Sequence, residues 1–364
     1  MILICVAVGI YFFVQTRSTS SPTTIHENTP PPAKTAQQCV EGLPDSTLIG
    51  QKLMVAVYSD LLEGELPILA NNNLGGIIAM DAISSAQVQS ITDAVPDAPF
   101  IAVDQEGGTV QRYKQEGILP GAYDMTQGFT VDQAYTKYFA DNMYLKGVGI
   151  TTNFAPVVDV LSGTYNPLPG RLYSSVPDEV VDYARASVRA AQAAGITPVV
   201  KHFPGLGSAS GNTDFGSTTT DSIDVLKTRD LVPYRSLSSL HPDAMVGNMI
   251  VPGLTDGQPA VWSADAVSLL RSLGYEQAVI YTDSLTAQAV PGAIGDAVVK
   301  AWQAGIDVAV VVQTKDQTAN LSQTVDEITT VARNTLSQGV LSKRQLVESN
   351  LRIFARKNIN PCNL

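Results

Sequence analysis

The chain has 364 residues and a formal charge of −11, with 45% apolar and only 16% charged residues. That length admits one large α/β barrel or two modest domains, and the composition excludes general disorder. Acidic residues outnumber basic ones 34 to 23 without a Lys/Arg cluster, and three histidines and three cysteines fall in no zinc-ligand spacing, so neither a nucleic-acid partner nor a metal is expected.

Ile2–Val14 is an unbroken run of thirteen apolar or aromatic residues. It falls short of the ~20 residues of a bilayer span and fits the ~7–15 of a signal-peptide core. In the stretch that follows, Thr16–Gln38, 13 of 23 residues are Ser, Thr or Pro. Such a segment cannot bury enough apolar surface to offset its ordering entropy, and it reads as an extended tether. The expected organisation is 1–15 as a signal peptide or membrane anchor, 16–38 as a linker and 39–364 as one domain. The protein is then extracytoplasmic, secreted or held at a membrane. Cys39 and Cys362 bracket the domain. Domain termini often lie close together and exported proteins meet oxidising conditions, so a disulfide between the two is expected, with two unpaired thiols as the alternative.

Past Cys39, short apolar runs alternate with amphipathic stretches. The predicted strands are Leu74–Met80, Phe100–Val103, Thr151–Val160, Thr197–Val200, Ala244–Ile250, Ala278–Tyr281 and Val308–Val312. Runs of this kind suit strands buried on both faces, as in a parallel sheet. The predicted helices are Val131–Leu145, Glu179–Ala194, Ile223–Leu240, Ala264–Leu273, Ile294–Ala304, Gln317–Gln338 and Ser342–Arg356. Gly195, Gly274 and Gly305 stand where helix C-caps belong. The β-α alternation fits either a closed (β/α)8 barrel of the TIM type or an open doubly wound sheet. Polar residues recur at successive strand ends: Asp104, Asp159, Lys201-His202, Asn248 and Asp283. In a barrel these ends converge on one mouth, and no Gly-rich phosphate loop follows Met80, so a single TIM-like barrel is preferred.

The segment Asp104-Gln105-Glu106-Gly107-Gly108 follows an apolar strand and leads to Arg112. Asp104 can accept hydrogen bonds from sugar hydroxyls, and Arg112 can donate several; a solvated turn is the plain alternative. Lys201-His202-Phe203-Pro204-Gly205-Leu206-Gly207 sets a cation and an imidazole at a strand end shaped by Gly and Pro. The small, polar stretch from Ser208 to Thr220, with Asp214 its only ionisable group, reads as a loop able to move over a substrate. Asp283 follows the Ala278–Tyr281 run among hydroxyls, where it suits a nucleophile or a helix N-cap. Together with Arg171, these fixed carboxylates and cations point to carbohydrate binding and glycosidic cleavage.

Taken in order, Ile101–Gly108 with Gln111-Arg112, Asn153-Phe154-Ala155-Pro156-Val157-Val158-Asp159-Val160, Gly170-Arg171, Lys201–Gly207 and Thr282-Asp283 resemble glycoside hydrolase family 3. Within it the chain is most similar to the single-domain bacterial β-N-acetylglucosaminidases, from about Leu48 to the C-terminus. The resemblance implies a TIM-like barrel and a retaining mechanism in which Asp283 is the nucleophile. It implies that Asp104, Arg112, Arg171, Lys201 and His202 hold the terminal sugar, and that no cofactor is needed. The implied activity is exo-β-N-acetylglucosaminidase on peptidoglycan fragments, with a β-glucosidase or a non-catalytic cell-wall sugar-binding protein as alternatives. A monomer is the simplest expectation. One departure stands out. The subgroup's mobile loop carries an Asp-x-His pair whose histidine is the general acid/base, and those positions are Asn212 and Asp214 here. Either Asp214 is the proton donor, kept protonated by burial or by the Asp283 charge, or water or another loop residue serves, or the sugar is bound without cleavage. Asp214 is favoured.

Overall fold

The computed structural model describes residues 34–114, 119–318 and 320–364. The expected signal or anchor segment and the linker up to residue 33 lie outside the described residues. Eight parallel strands form the sheet: β1 (Leu53–Val57), β2 (Gly76–Ala79), β3 (Phe100–Val103), β4 (Thr152–Asn153), β5 (Thr197–Phe203), β6 (Asp243–Val246), β7 (Ile280–Thr282) and β8 (Ala309–Val311). They pair in chain order, β1 also pairs with β8, and a parallel bridge between Tyr281 and Val308 joins β7 to β8. The sheet thus closes on itself, and each strand leads into helix before the next, which is a single (β/α)8 barrel. Among the described residues no helix is long and apolar enough to cross a membrane.

The alternation of side chains along each strand builds two cores. Met54, Ala56, Ile78, Phe100, Ala102, Phe154, Val199, Met245, Tyr281 and Val310 point inward and fill the barrel, with Tyr281 edge-on to Phe154 at 5.2 Å and to Phe100 at 6.0 Å. Leu53, Val55, Val57, Ile77, Ile101 and Val200 point outward and pack under the helices. Both faces are buried, which is why these segments read as continuous apolar runs.

The structure corrects several sequence-based expectations, and four bear on how the barrel and its ends are built. Strand β1 was not among the predicted elements. The run Thr151–Val160 is a strand only at Thr152–Asn153, because Pro156 has no N–H to offer a ladder and the chain turns there. The helix expected over Ile223–Leu240 breaks into Ile223–Thr228 and Leu231–Leu237. At the break Arg229 bonds Asp230, Asp221 and Ser162, and Pro233 falls in the first turn of the second piece. Last, order begins before Cys39. Thr35 and Gln38 form a reciprocal capping box that starts the helix Ala36–Glu41, so the linker stops short of its expected end at Gln38. That helix carries Cys39, which is joined in a disulfide to Cys362 in the C-terminal turn.

Candidate active site

The C-terminal ends of the strands surround a cavity of about 230 Å³ lined by Asp104, Glu106, Arg112, Arg171, Lys201, His202, Asp214 and Asp283, with Ile78, Phe154 and Met245 among the apolar groups lining it. Every residue singled out from the sequence as a catalytic or sugar-binding candidate therefore reaches one cavity. They arrive from different elements. Asp104 follows β3, Lys201 and His202 lie inside β5, which runs three residues past its expected end at Val200, and Asp283 follows β7. Arg171 and Asp214 come from the loops after β4 and β5.

An ion network fixes one side. The Lys201 ammonium lies 2.7 Å from Asp104 Oδ1 and 2.6 Å from Glu106 Oε1. Arg171 donates to both Glu106 oxygens, at 2.7 and 2.9 Å, and Arg112 reaches Asp104 at 3.4 Å. Burial works against the charges of Glu106, Arg171 and Lys201, but their partners outweigh it. Lys201 and Arg171 hold Glu106 down to about 2, and Asp104 and Glu106 hold Lys201 above its ordinary range. Glu106 and Lys201 are thereby both held in their charged forms at neutral pH. Asp104 remains partly exposed toward the cavity, where its oxygens can meet hydroxyl donors.

A second buried carboxylate organises the imidazole. Asp159 Oδ2 accepts from His202 Nδ1 at 2.8 Å, and its oxygens also take the backbone N–H of His202 and Leu206. Ring orientation and tautomer are set from behind, which leaves Nε2 for the cavity that His202 lines. Glu106 and Asp159 were missed as site residues. Both stand inside the quoted strand-end motifs, and each was a carboxylate whose partners lie far along the chain. Gly107 is required where it stands: its φ is +96°, and a Cβ there would come within 2.3 Å of the Pro120 carbonyl oxygen.

Asp283 receives the Ser284 N–H on Oδ1 at 2.7 Å, which fixes its carboxylate, and no helix starts there for it to cap, since the next among the described residues begins at Ile294. Burial pushes its carboxyl above the ordinary range and the Asp214 charge adds to this, while His202 and Lys201 pull the other way. Asp214 itself is exposed, so burial expected to keep it protonated is not supplied by the loop as it stands. The loop is anchored all the same: the carbonyls of Thr213 and Asp214 accept the N–H groups of Ala289 and Gln288, just beyond Asp283.

A parallel barrel whose mouth presents fixed carboxylates, guanidinium and ammonium groups around a small polar cavity suits the binding of a sugar, and the family match makes it a glycoside hydrolase acting on O-glycosyl bonds. Residues 48–353 match the glycosyl hydrolase family 3 N-terminal domain, and the chain belongs to that family. It is 33% identical over 327 residues to the beta-hexosaminidase LpqI of Mycobacterium tuberculosis, covering 85% of this chain and 82% of that protein. It is 28% identical to beta-hexosaminidase A of Pseudoalteromonas piscicida, over 88% of this chain and 62% of the other. Among solved structures, a family 3 glycosyl hydrolase of Mycobacterium smegmatis aligns with a TM-score of 0.78 at 33% identity, covering 87% of this chain and 98% of that one.

Proposed function

We propose that the protein is a retaining exo-β-N-acetylglucosaminidase that removes terminal β-linked N-acetylglucosamine, with peptidoglycan fragments as its source. The observation that carries this is the placement of Asp283, a fixed carboxylate in the same small cavity as Asp214 and the Asp104–Lys201–Glu106–Arg171 ion-pair network. A cavity of about 230 Å³ suits one sugar ring rather than a chain, which favours exo action. Asp104, Arg112, Lys201 and His202 bind the terminal ring through its hydroxyls, and Arg171 holds Glu106 and completes the wall.

Asp283 attacks the anomeric carbon and forms a glycosyl ester, while Asp214 gives its proton to the departing oxygen. Asp214 then takes a proton from water, which attacks the ester and releases the sugar with its β configuration retained. Names of the relatives support the N-acetyl sugar, since both curated relatives described above are beta-hexosaminidases. The same reading places the protein outside the cytoplasm, secreted or membrane-held through 1–15 and the linker, in keeping with a disulfide at Cys39–Cys362.

Turnover of 4-nitrophenyl N-acetyl-β-glucosaminide against the corresponding glucoside tests the substrate. A preference for the N-acetyl sugar is expected. Preference for the glucoside makes the protein a β-glucosidase, and turnover of neither makes it a binding protein. Asp283→Asn is expected to abolish turnover; full activity in that variant sinks the nucleophile assignment.

A further inference from the structure

Phe215 is the most exposed large apolar side chain among the described residues, at 76%, and it directly follows Asp214. A single exposed apolar residue on a surface needs no explanation, but this one is held out by a built turn. The Asn212 carbonyl accepts the Phe215 N–H at 3.1 Å, closing a β-turn, and the Asn212 side chain accepts the Asp214 N–H at 2.9 Å. The turn is fastened in its middle, where Thr213 and Asp214 accept the Ala289 and Gln288 N–H groups beside the Asp283 segment. Asp214 and Phe215 therefore move as one unit. The Asp214 side chain belongs to the cavity lining and Phe215 does not.

Chemistry fixes what lies beside them. A residue that protonates the glycosidic oxygen sits at the boundary between the sugar being removed and the group that leaves. Phe215 follows Asp214 in the same hydrogen-bonded turn and does not line the one-sugar cavity. We propose that Phe215 is the platform for the leaving group, taking the apolar face of a second pyranose ring, so that it sets leaving-group preference for the reaction. A rigid aromatic offers such a contact at little ordering cost. The proposal rests on the reading of Asp214 as proton donor.

The test compares two substrates that share the N-acetylglucosaminyl group: N,N′-diacetylchitobiose, whose leaving group is a pyranose, and N-acetyl-β-glucosaminyl fluoride, whose leaving group has no ring and needs little protonation. Phe215→Ala is expected to lower kcat/KM about tenfold on the disaccharide and less than twofold on the fluoride, and Phe215→Trp to restore the disaccharide rate. An equal fall on both substrates means that the residue only supports the loop, and no fall on either means that no ring rests on it; both results overturn the proposal. Asp214→Ala, assayed in parallel, separates the two ideas. If that variant keeps full disaccharide activity, the proton-donor reading fails, whatever Phe215 does. If the wild-type enzyme cleaves neither substrate, the substrate reading fails and takes this proposal with it.

Discussion

Asp283 must be ionised to attack, and its surroundings oppose that: burial first, then the neighbouring Asp214 charge, raise its pKa. A nucleophile with a raised pKa loses activity as pH falls through that raised value, so the acid limb of kcat/KM lies above the ordinary carboxylate range of about 4. Asp214→Asn removes one of the two raising influences. On the fluoride substrate, which needs little protonation, that variant is expected to stay active with its acid limb moved to lower pH. A limb that does not move means that the two carboxylates do not sense each other. On a substrate with a poor leaving group, Asp214→Ala is expected to lose roughly 10²–10⁴ in kcat/KM, the usual worth of general acid catalysis. Added azide, a nucleophile that needs no general base, then attacks the glycosyl ester in place of water and yields a β-glycosyl azide, read by NMR; an Asp214→Ala variant that cleaves the poor-leaving-group substrate as fast as wild type would falsify the donor role. At this scale the sequence was readable at Asp104, Lys201 and Asp283, where a polar residue ends an apolar run and faces the cavity. Glu106 and Asp159 were not readable as site members. Their work is done through Arg171, Lys201 and His202, and only the closed barrel brings those residues to them.

At the scale of elements, helices with a clear apolar stripe were found nearly to their ends, as Ile294–Gln303 and Pro177–Ala193 illustrate. Strand β1 escaped because Leu53-Met54-Val55-Ala56-Val57 mixes Met and Ala with two β-branched residues, and no period distinguishes it from a buried helix turn. Only its pairing with both β2 and β8 gives it away. The helix Leu62–Asn71 that follows carries Glu65, which is 5% exposed and has neither carboxylate oxygen hydrogen-bonded. Burial, helped by the Asp60 charge, pushes its carboxyl up to about 7. The folded state thus binds this proton more tightly than the unfolded chain does. Stability linked to it is fully present below the unfolded value of about 4.3 and is lost as pH rises to about 7, by roughly 3 kcal/mol in all. Urea midpoints measured from pH 4.5 to 8 are expected to fall for the wild type and to flatten in Glu65→Gln. Equal slopes in the two proteins would rule out Glu65 as the source.

Seen whole, the barrel puts its chemistry and its fastening at opposite ends, as the fold generally does. At the N-terminal ends of the strands, fully buried Asp307 accepts from Arg271 at 2.6 Å, from Arg352 at 2.8 Å and from the Ile280 N–H at 2.9 Å. Asp243 accepts from Arg356 at 2.6 Å and from the Val279 N–H at 2.8 Å. Two of these arginines belong to the C-terminal helix Lys343–Arg356, whose Ile353 packs into the inner core, and beyond it Cys362 is tied back to Cys39. The last helix thus closes the base of the barrel and links the two ends of the folded chain. Burial alone would raise the Asp307 carboxyl, but Arg271 and Arg352 outweigh it and hold it below its ordinary range. Its contribution is therefore present at neutral pH and lost as pH falls below about 4. Asp307→Ala leaves two guanidinium groups facing each other without a counter-charge. That is expected to cost about 3–5 kcal/mol, the usual penalty for breaking a buried pair. Because the cavity lies at the other ends of the strands, kcat/KM at 15 °C is expected to stay within about twofold of wild type while the Tm falls. A variant that loses activity before it loses structure would show that the base of the barrel governs its mouth, and the division between fastening and chemistry would not hold for this protein.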